Sequence, residues 1–438
     1  MASTSADDPP GDPTGLDVRP FRALTYREHH PDQLARVSSP AYDLVTAAGR
    51  DRLAAADPHN IVRLILPHVE GTPDGPAPRA GSAATASATL RRWLAEDVLV
   101  RDPAPALWRY EMARPGVPAT SGWLAAVGLP RPGSTAVLPH EDTYAPAVEG
   151  RRALLDATAT DLEPIVLAHD PDQAVQAETD RTGATAPTLE VADPDGVVHR
   201  LWRVTDPATL GRLTAAFAGT RSVIADGHHR FAAAREHQLR GGHEDEAVLA
   251  LLTPMGPGGL RVQAIHRVLP DLPLTEAAAL AAAGFAVNDL TPVGAHPADV
   301  IEQWLIGTER PAFLLTDGER VVELTSPSAE VRASVPAEAP PAWRRLDVVL
   351  AHHGLFGRLL GRTDDPASVL VAHDVPQALR LAADRGGVAV LLRSPSPADV
   401  AEVARAGARM PRKSTLFVPK PRTGLVLRPH DEDRAHPA

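Results

Sequence analysis

In Asp226-Gly227-His228-His229-Arg230, a carboxylate and a glycine are followed by two imidazoles and a guanidinium. The residues before them, Ser222 to Ala225, are small, apolar and partly β-branched, which predicts a short buried strand. Asp-Gly is a turn signal, because glycine takes positive φ freely and aspartate bonds the backbone ahead of it. The Ala-rich run that follows predicts a helix to about Arg240. Such a helix leaves its first-turn N–H groups without intrahelical acceptors, and its dipole favours an anion there. Gly227, His228, His229 and Arg230 therefore read as a phosphate cradle. A plain strand-to-helix turn with its histidines in water has the same pattern.

Four other places concentrate reactive side chains. His140-Glu141-Asp142-Thr143 sets a carboxylate beside an imidazole, as a general base or a metal site needs, although acidic loops are usually just solvated. Arg151 and Arg152 stand near the start of a helix expected over Glu149 to Ala157, where positive charge opposes the dipole unless an anion is near. His266-Arg267 ends an expected strand, either as a ligand contact or as a solvated terminus. Arg412-Lys413-Ser414-Thr415 offers two cations and two hydroxyls, and Lys420 follows across Pro419. Of the 44 basic residues only Lys413 and Lys420 are lysines, so 42 are arginines. Lysine is a compact point charge with rotatable donors, which suits a phosphoryl group. No Gly-x-x-x-x-Gly-Lys-Ser/Thr loop, dinucleotide fingerprint or His-Glu-x-x-His zinc motif occurs.

The totals narrow the classes. A chain of 438 residues with 44% hydrophobic content can form one large or two medium domains. A net charge of −11 argues against a general nucleic-acid partner. The absence of cysteine excludes disulfides, thiolate metal sites and cysteine nucleophiles. The first fifteen residues lack an apolar core, so no signal peptide is expected, and the longest apolar run, Ala277 to Val287, is too short to cross a bilayer. These features lead us to expect a soluble, cytoplasmic protein without a membrane partner.

The elements that must position these residues alternate between strand and helix, which predicts an α/β fold with mixed sheets. Strands are expected at Asn60 to Leu66, Ala106 to Met112, Gly122 to Leu129 and Pro164 to Ala168, and helices at Thr46 to Ala56, Ala84 to Glu96 and Asp206 to Gly219. Leu249 to Thr253 and Leu260 to Val268 read as a strand pair. Beyond Pro270 come a helix capped by Thr275, a hairpin across Asp317-Gly318, a Pro-rich hinge at Pro336 to Pro341 and a capping box at Asp374. Helices from Pro297 and Ser396, and strands at Val388 to Leu392, Leu416 to Val418 and Leu425 to Leu427, complete the pattern. The expected division is a disordered start (1–15), a catalytic α/β region (16–270), a C-terminal α/β region (271–428) whose tail returns to the site, and a disordered tail (429–438). Glu70 to Gly81 reads as a Gly/Pro-rich loop.

Five stretches occur in order: Arg19-Pro-Phe-Arg22, Pro40-Ala-Tyr-Asp43, Pro139-His140-Glu141-x-Thr143, Ala225-Asp226-Gly227-His228-His229-Arg230 and Met410-Pro-x-Lys413-Ser414-Thr415. On these the chain resembles the bacterial and archaeal family known as domain of unknown function one thousand and fifteen, over roughly Leu16 to Arg428. Members of that family resemble free L-serine kinases, in particular a pyrophosphate-dependent type. The Asp-Gly-His-x-Arg element is similar to the phosphate-binding box of ParB/sulfiredoxin-like proteins. Asp161 departs from the pattern, which leads one to expect Asn there.

The resemblance implies a ParB-like phosphate-binding core and phosphoryl transfer from pyrophosphate, or a nucleotide, to the hydroxyl of free serine. Such a reaction asks mainly for positioning and positive charge. Gly227, His228, His229 and Arg230 would hold one phosphate, and Lys413, Ser414 and Thr415 would neutralise the transferring group. His140 and Glu141 would serve the chemistry, Glu141 taking the serine proton or binding Mg²⁺ together with Asp226; Asp43 or Asp226 could be the base instead. Thr143, His266 and either Arg267 or Arg151 would meet the substrate, an arginine pairing with its carboxylate. The rival readings are a metal-dependent phosphohydrolase or nuclease, and a non-catalytic nucleotide-binding module. Oligomeric state is not legible in the sequence.

Overall fold

The computed structural model describes residues 15–67, 80–131, 133–241, 246–291, 294, 296–307, 311–363, 365, 367–411 and 413–430. The expectations for 1–14, for most of the Glu70 to Gly81 loop, for Arg412 and for 431–438 lie outside these residues. The chain is an α/β protein of two units: residues 1–260 with 419–438, and residues 261–418. The boundary thus falls at Leu260/Arg261, and the last twenty positions rejoin the first unit. Among the described residues no helix is long and apolar enough to cross a membrane.

The first unit is built on a nine-stranded mixed sheet. Its order runs Val137–Leu138, Ser222–Asp226, Ile165–His169, Ala247–Pro254, Val117–Gly128, Leu107–Arg114, Val198–Val204 and Leu189–Ala192, with Val18–Arg19 also paired to Val117–Gly128. Ala247–Pro254 is parallel to Ile165–His169, whereas Ser222–Asp226 is antiparallel to it. These central strands read as near-continuous apolar runs because both faces are covered. Trp123, Leu167, Leu252, Phe217 and Phe231 share one buried cluster. The long helices have sound starts: Asp172 accepts from Ala174 N and Val175 N, and Asp206 from Thr209 N.

The C-terminal segment is stitched through this unit. Thr423 exchanges backbone hydrogen bonds with Ser39, Leu427 does so with Leu24, and Arg428–Pro429 pairs with Thr160–Asp161. The buried Arg422 guanidinium donates to Ser38 Oγ (2.7 Å), Ala35 O (2.9 Å) and the Asp193 carboxylate. Arg428 donates to Asp161 Oδ2 (2.9 Å) and Ala247 O (2.8 Å). A buried charge persists only when paired and hydrogen-bonded, so these contacts specify where the tail runs.

The second unit holds a six-stranded antiparallel sheet in the order Ala286–Asp289, Val321–Thr325, Phe313–Thr316, Val388–Leu391, His266–Leu269 and Leu370–Ala372. Trp304, Leu314, Ala378 and Leu391 belong to its core. Arg261–Gln263 pairs separately with Leu416–Val418.

Several sequence expectations change. Asn60 to Leu66 is not a strand: Val62–Ile65 is a short helix. The buried Asn60 accepts from Val62 N (3.0 Å) and donates to Arg36 O (2.6 Å) and Ser38 O (3.2 Å), and a short apolar run does not by itself distinguish the two states. Leu260 to Val268 breaks in two, and neither half pairs with Ala247–Pro254, which lies on the other side of the unit boundary. Leu425 to Leu427 makes only an isolated bridge to Leu24, and the strand follows at Arg428–Pro429. The helix at Glu149 begins earlier, at Ala145, with proline in its first turn, so Arg151 and Arg152 sit mid-helix. Pro273, not Thr275, precedes the Leu274–Ala281 helix. Asp374 caps its helix without a box, since Gln377 Oε1 accepts from His373 N instead, while Ser396 and Asp399 do form one. Pro336 to Pro341 lies inside the second unit rather than between units.

Burial works to raise the Asp161 pKa, but the charges of His430 and Arg428 and the Leu249 amide outweigh it, so it falls from 3.8 to about 2. A depressed carboxyl stabilises the fold above its unfolded pKa, and that stabilisation is lost as pH falls through the folded value. The stability gap between wild type and Asp161→Asn in urea titrations should therefore narrow by about 2 kcal/mol between pH 5 and pH 2. A gap independent of pH contradicts the pairing.

Candidate functional site

The Asp226-Gly227 turn is fixed by steric demand. Gly227 has φ +94°, and a Cβ there would lie 2.8 Å from Ile165 Cγ2, so only glycine fits on both counts. The helix His228–Gly241 starts immediately after it. Glycine in that place supplies no side-chain oxygen to the first-turn amides, unlike a Ser, Thr or Asp cap.

Asp226 ends the strand and faces two cations. Arg230 Nη2 donates to Asp226 Oδ2 (2.6 Å), and Lys420 Nζ donates to Asp226 Oδ1 (2.7 Å) and also to Asp43 Oδ2. Burial pushes the Asp226 carboxyl up, but Lys420 and Arg230 overcome it and hold it below the usual value. Burial likewise opposes the Lys420 charge, and the two carboxylates raise its pKa despite that. At neutral pH the site therefore contains an ammonium clasped by two carboxylates.

Arg230 also donates from Nη1 to Pro164 O (2.5 Å), while its buried Nε has no hydrogen-bond partner among the described residues. Arg151, 7% exposed, lies 3.6 Å from the centre of the Tyr42 ring, with Arg230 at 5.5 Å from it. Arg151 Nη1 donates to Ile65 O (3.2 Å), and Glu163 stands 3.9 Å away. Glu163 Oε1 in turn accepts from Tyr42 N (3.2 Å) and the Thr423 hydroxyl (2.9 Å). A cavity of about 50 Å³ is lined by Arg151, Asp161, Glu163 and Arg230, among others.

The loop His140 to Tyr144 is tied to the helix start by the paired histidines. His140 N donates to His228 Nε2 (3.2 Å), with the two rings edge-on at 4.6 Å, and Tyr144 N donates to His229 Nε2 (3.1 Å). Through these contacts the two rings anchor the backbone of the loop. Glu141 Oε1 lies 3.9 Å from His140 Nε2 and is partly exposed, and Thr143 is exposed. Asp226, Gly227, His228, His229, Arg230, His140, Glu141 and Arg151 thus belong to one neighbourhood of the first unit.

His266, Arg267, Lys413, Ser414 and Thr415 belong to the second unit. Burial, helped by Arg267, lowers the His266 pKa to about 4, and its Nδ1 accepts from Leu392 N (3.3 Å). Arg267 is 1% exposed and donates to Ile265 O, His266 O and His352 Nε2. Lys413 has φ +54°, a left-handed conformation, and the Ser414 hydroxyl donates to Pro411 O (2.5 Å).

For the expected Mg²⁺ the residues on their own make a poor cage. Both Asp226 oxygens already face a cation, and no group of three or more potential ligands comes together among the described residues.

Lys420 and Glu163 were not among the expected site residues, and Asp43 entered only as an alternative base. The scarcity of lysine marked Lys420, but nothing local to it indicates Asp43, 377 positions away.

No curated protein matches this chain. Among solved structures the chain is similar to a free serine kinase in complex with AMP (14% identity, TM-score 0.31, 67% of this chain and 87% of that one). It is similar also to a conserved hypothetical protein from Pyrococcus furiosus (15%, 0.30, 67% and 90%) and to C-terminally truncated SbnI from Staphylococcus aureus (11%, 0.36, 72% and 90%). Residues 18–349 match the family described as "Protein of unknown function (DUF1015)", and the chain belongs to that family.

Proposed function

We propose that the first unit is a phosphotransferase that binds a phosphoryl donor, pyrophosphate or a nucleotide, at the start of the His228–Gly241 helix and transfers a phosphoryl group to the hydroxyl of free serine. The observation that carries this reading is the Asp226-Gly227 turn. It opens the His228–Gly241 helix beside Arg230, with a buried lysine held by Asp43 and Asp226. Preorganised backbone amides and fixed cations are what the charge of a transferring phosphoryl group requires. The serine acceptor follows from the motif resemblance, not from the geometry.

The electrostatics divide the carboxylates by role. Asp226, held ionised by two cations, is a weak base and serves to fix those cations. Glu141 is partly exposed on the loop that His228 and His229 anchor, and we assign it the proton of the acceptor hydroxyl. Arg151 is the arginine placed to meet a carboxylate, its Nη2 having no hydrogen-bond partner among the described residues.

Incubation of the full chain with pyrophosphate or ADP, L-serine and Mg²⁺ should yield O-phosphoserine. Glu141→Gln should lower kcat about 10²-fold or more with unchanged thermal stability. Phosphate release without phosphoserine would favour a hydrolase, and neither product would favour a binding module. Gly227→Ala should lose stability by about 1–3 kcal/mol, because alanine must take a positive φ there, and should weaken pyrophosphate binding as the first turn shifts. Wild-type melting and affinity in that variant would contradict the steric account.

A further inference from the structure

We propose that Lys420 contacts the bound anion directly, through the one ammonium N–H that its two carboxylates leave over, and that this is why lysine rather than arginine occupies the position. The inference rests on the phosphate-binding reading above and adds a ligand contact to it.

The segment around Lys420 is held firmly. Two residues on, Arg422 donates to Ser38 and Asp193, and next to it Thr423 bonds Ser39 through its backbone and Glu163 through its hydroxyl. The Lys420 side chain is 7% exposed, so its ammonium is placed by packing rather than swinging in solvent. An ammonium has three donors in a tetrahedral arrangement. One goes to Asp43 Oδ2 and one to Asp226 Oδ1 (2.7 Å), and the third has no acceptor among the described residues. Asp226 directly precedes Gly227, so that ammonium is bonded to the residue just before the His228–Gly241 helix start, where the functional reading places the anion. Arg230 Nε, another donor without a hydrogen-bond partner among the described residues, lies 3.2 Å from the position a Gly227 Cβ would take.

The residue type carries the second half of the argument. Across a chain with 44 basic residues arginine is used everywhere except at two positions. A guanidinium between Asp43 and Asp226 would present its donors in one plane as a fork, matching the two carboxylates and leaving no donor out of that plane. Lysine satisfies both carboxylates and keeps a donor for a third oxyanion.

Two measurements on the full chain test this. In a ¹⁵N-lysine-labelled protein only two side-chain ammonium signals exist, and Lys420→Arg identifies the one that disappears. Saturation with pyrophosphate should shift the Lys420 signal. By calorimetry, Lys420→Arg, which keeps the charge for Asp43 and Asp226, should retain the wild-type melt yet bind pyrophosphate at least tenfold more weakly; Lys420→Met should bind still more weakly. An unmoved Lys420 signal at saturation, or Lys420→Arg affinity within twofold of wild type, overturns the inference alone. A wild-type protein that binds neither pyrophosphate nor ADP overturns it together with the functional reading.

Discussion

A buried ammonium clasped by two carboxylates is the constraint on which the first unit's site depends. Lys420, Asp43 and Asp226 come from the tail, the N-terminal region and the end of a central strand. Removing Lys420 takes from the buried Asp226 one of its two cations, and removing Asp226 leaves the buried ammonium with Asp43 alone; losing a partner from a buried charge costs more than an exposed ion pair contributes. The triad therefore fixes the end of the Ser222–Asp226 strand, and with it the direction in which the next helix departs. Next along the chain come the sterically fixed Gly227 and the helix start whose two histidines anchor the His140 to Tyr144 loop.

The tail explains how groups so distant in sequence are held together. Between Lys420 and His430 the chain meets the Ser38–Asp43 turn, Asp193, the Asp161–Glu163 corner and the Ala247 strand start. Most of those contacts use arginine, whose planar fork satisfies several acceptors at once. Arg422 alone donates to Ser38, Ala35 and Asp193. The tail is thus part of the first unit's interior, although the second unit separates it from the rest of that unit in sequence.

What the sequence revealed was local. The strand, turn and helix around Asp226-Gly227 were legible because an apolar run, a turn dipeptide and an Ala-rich run each carry their own short-range signal. Helix starts at Thr46, Asp206 and Ser396 were legible for the same reason. Asn60 to Leu66 was misread because its state is decided by Asn60 bonding to Arg36 and Ser38, a tertiary event. The histidines at 228 and 229 were visible as ring nitrogens but not as acceptors for two loop amides, since that depends on where a loop nearly ninety residues earlier lies. Lys420 stood out by its rarity, but its partners did not: Asp43 and Asp226 are 377 and 194 positions away, and no periodicity reaches that far.

The central claim is that the start of the His228–Gly241 helix is an anion site. A crystal structure of the full chain grown with pyrophosphate tests it most directly. The account predicts phosphate oxygens within hydrogen-bonding distance, roughly 2.7–3.2 Å, of the His228 to Arg230 amides, with Asp226 still turned to its cations. Well-ordered pyrophosphate bound elsewhere, with that helix start facing only water, would contradict it.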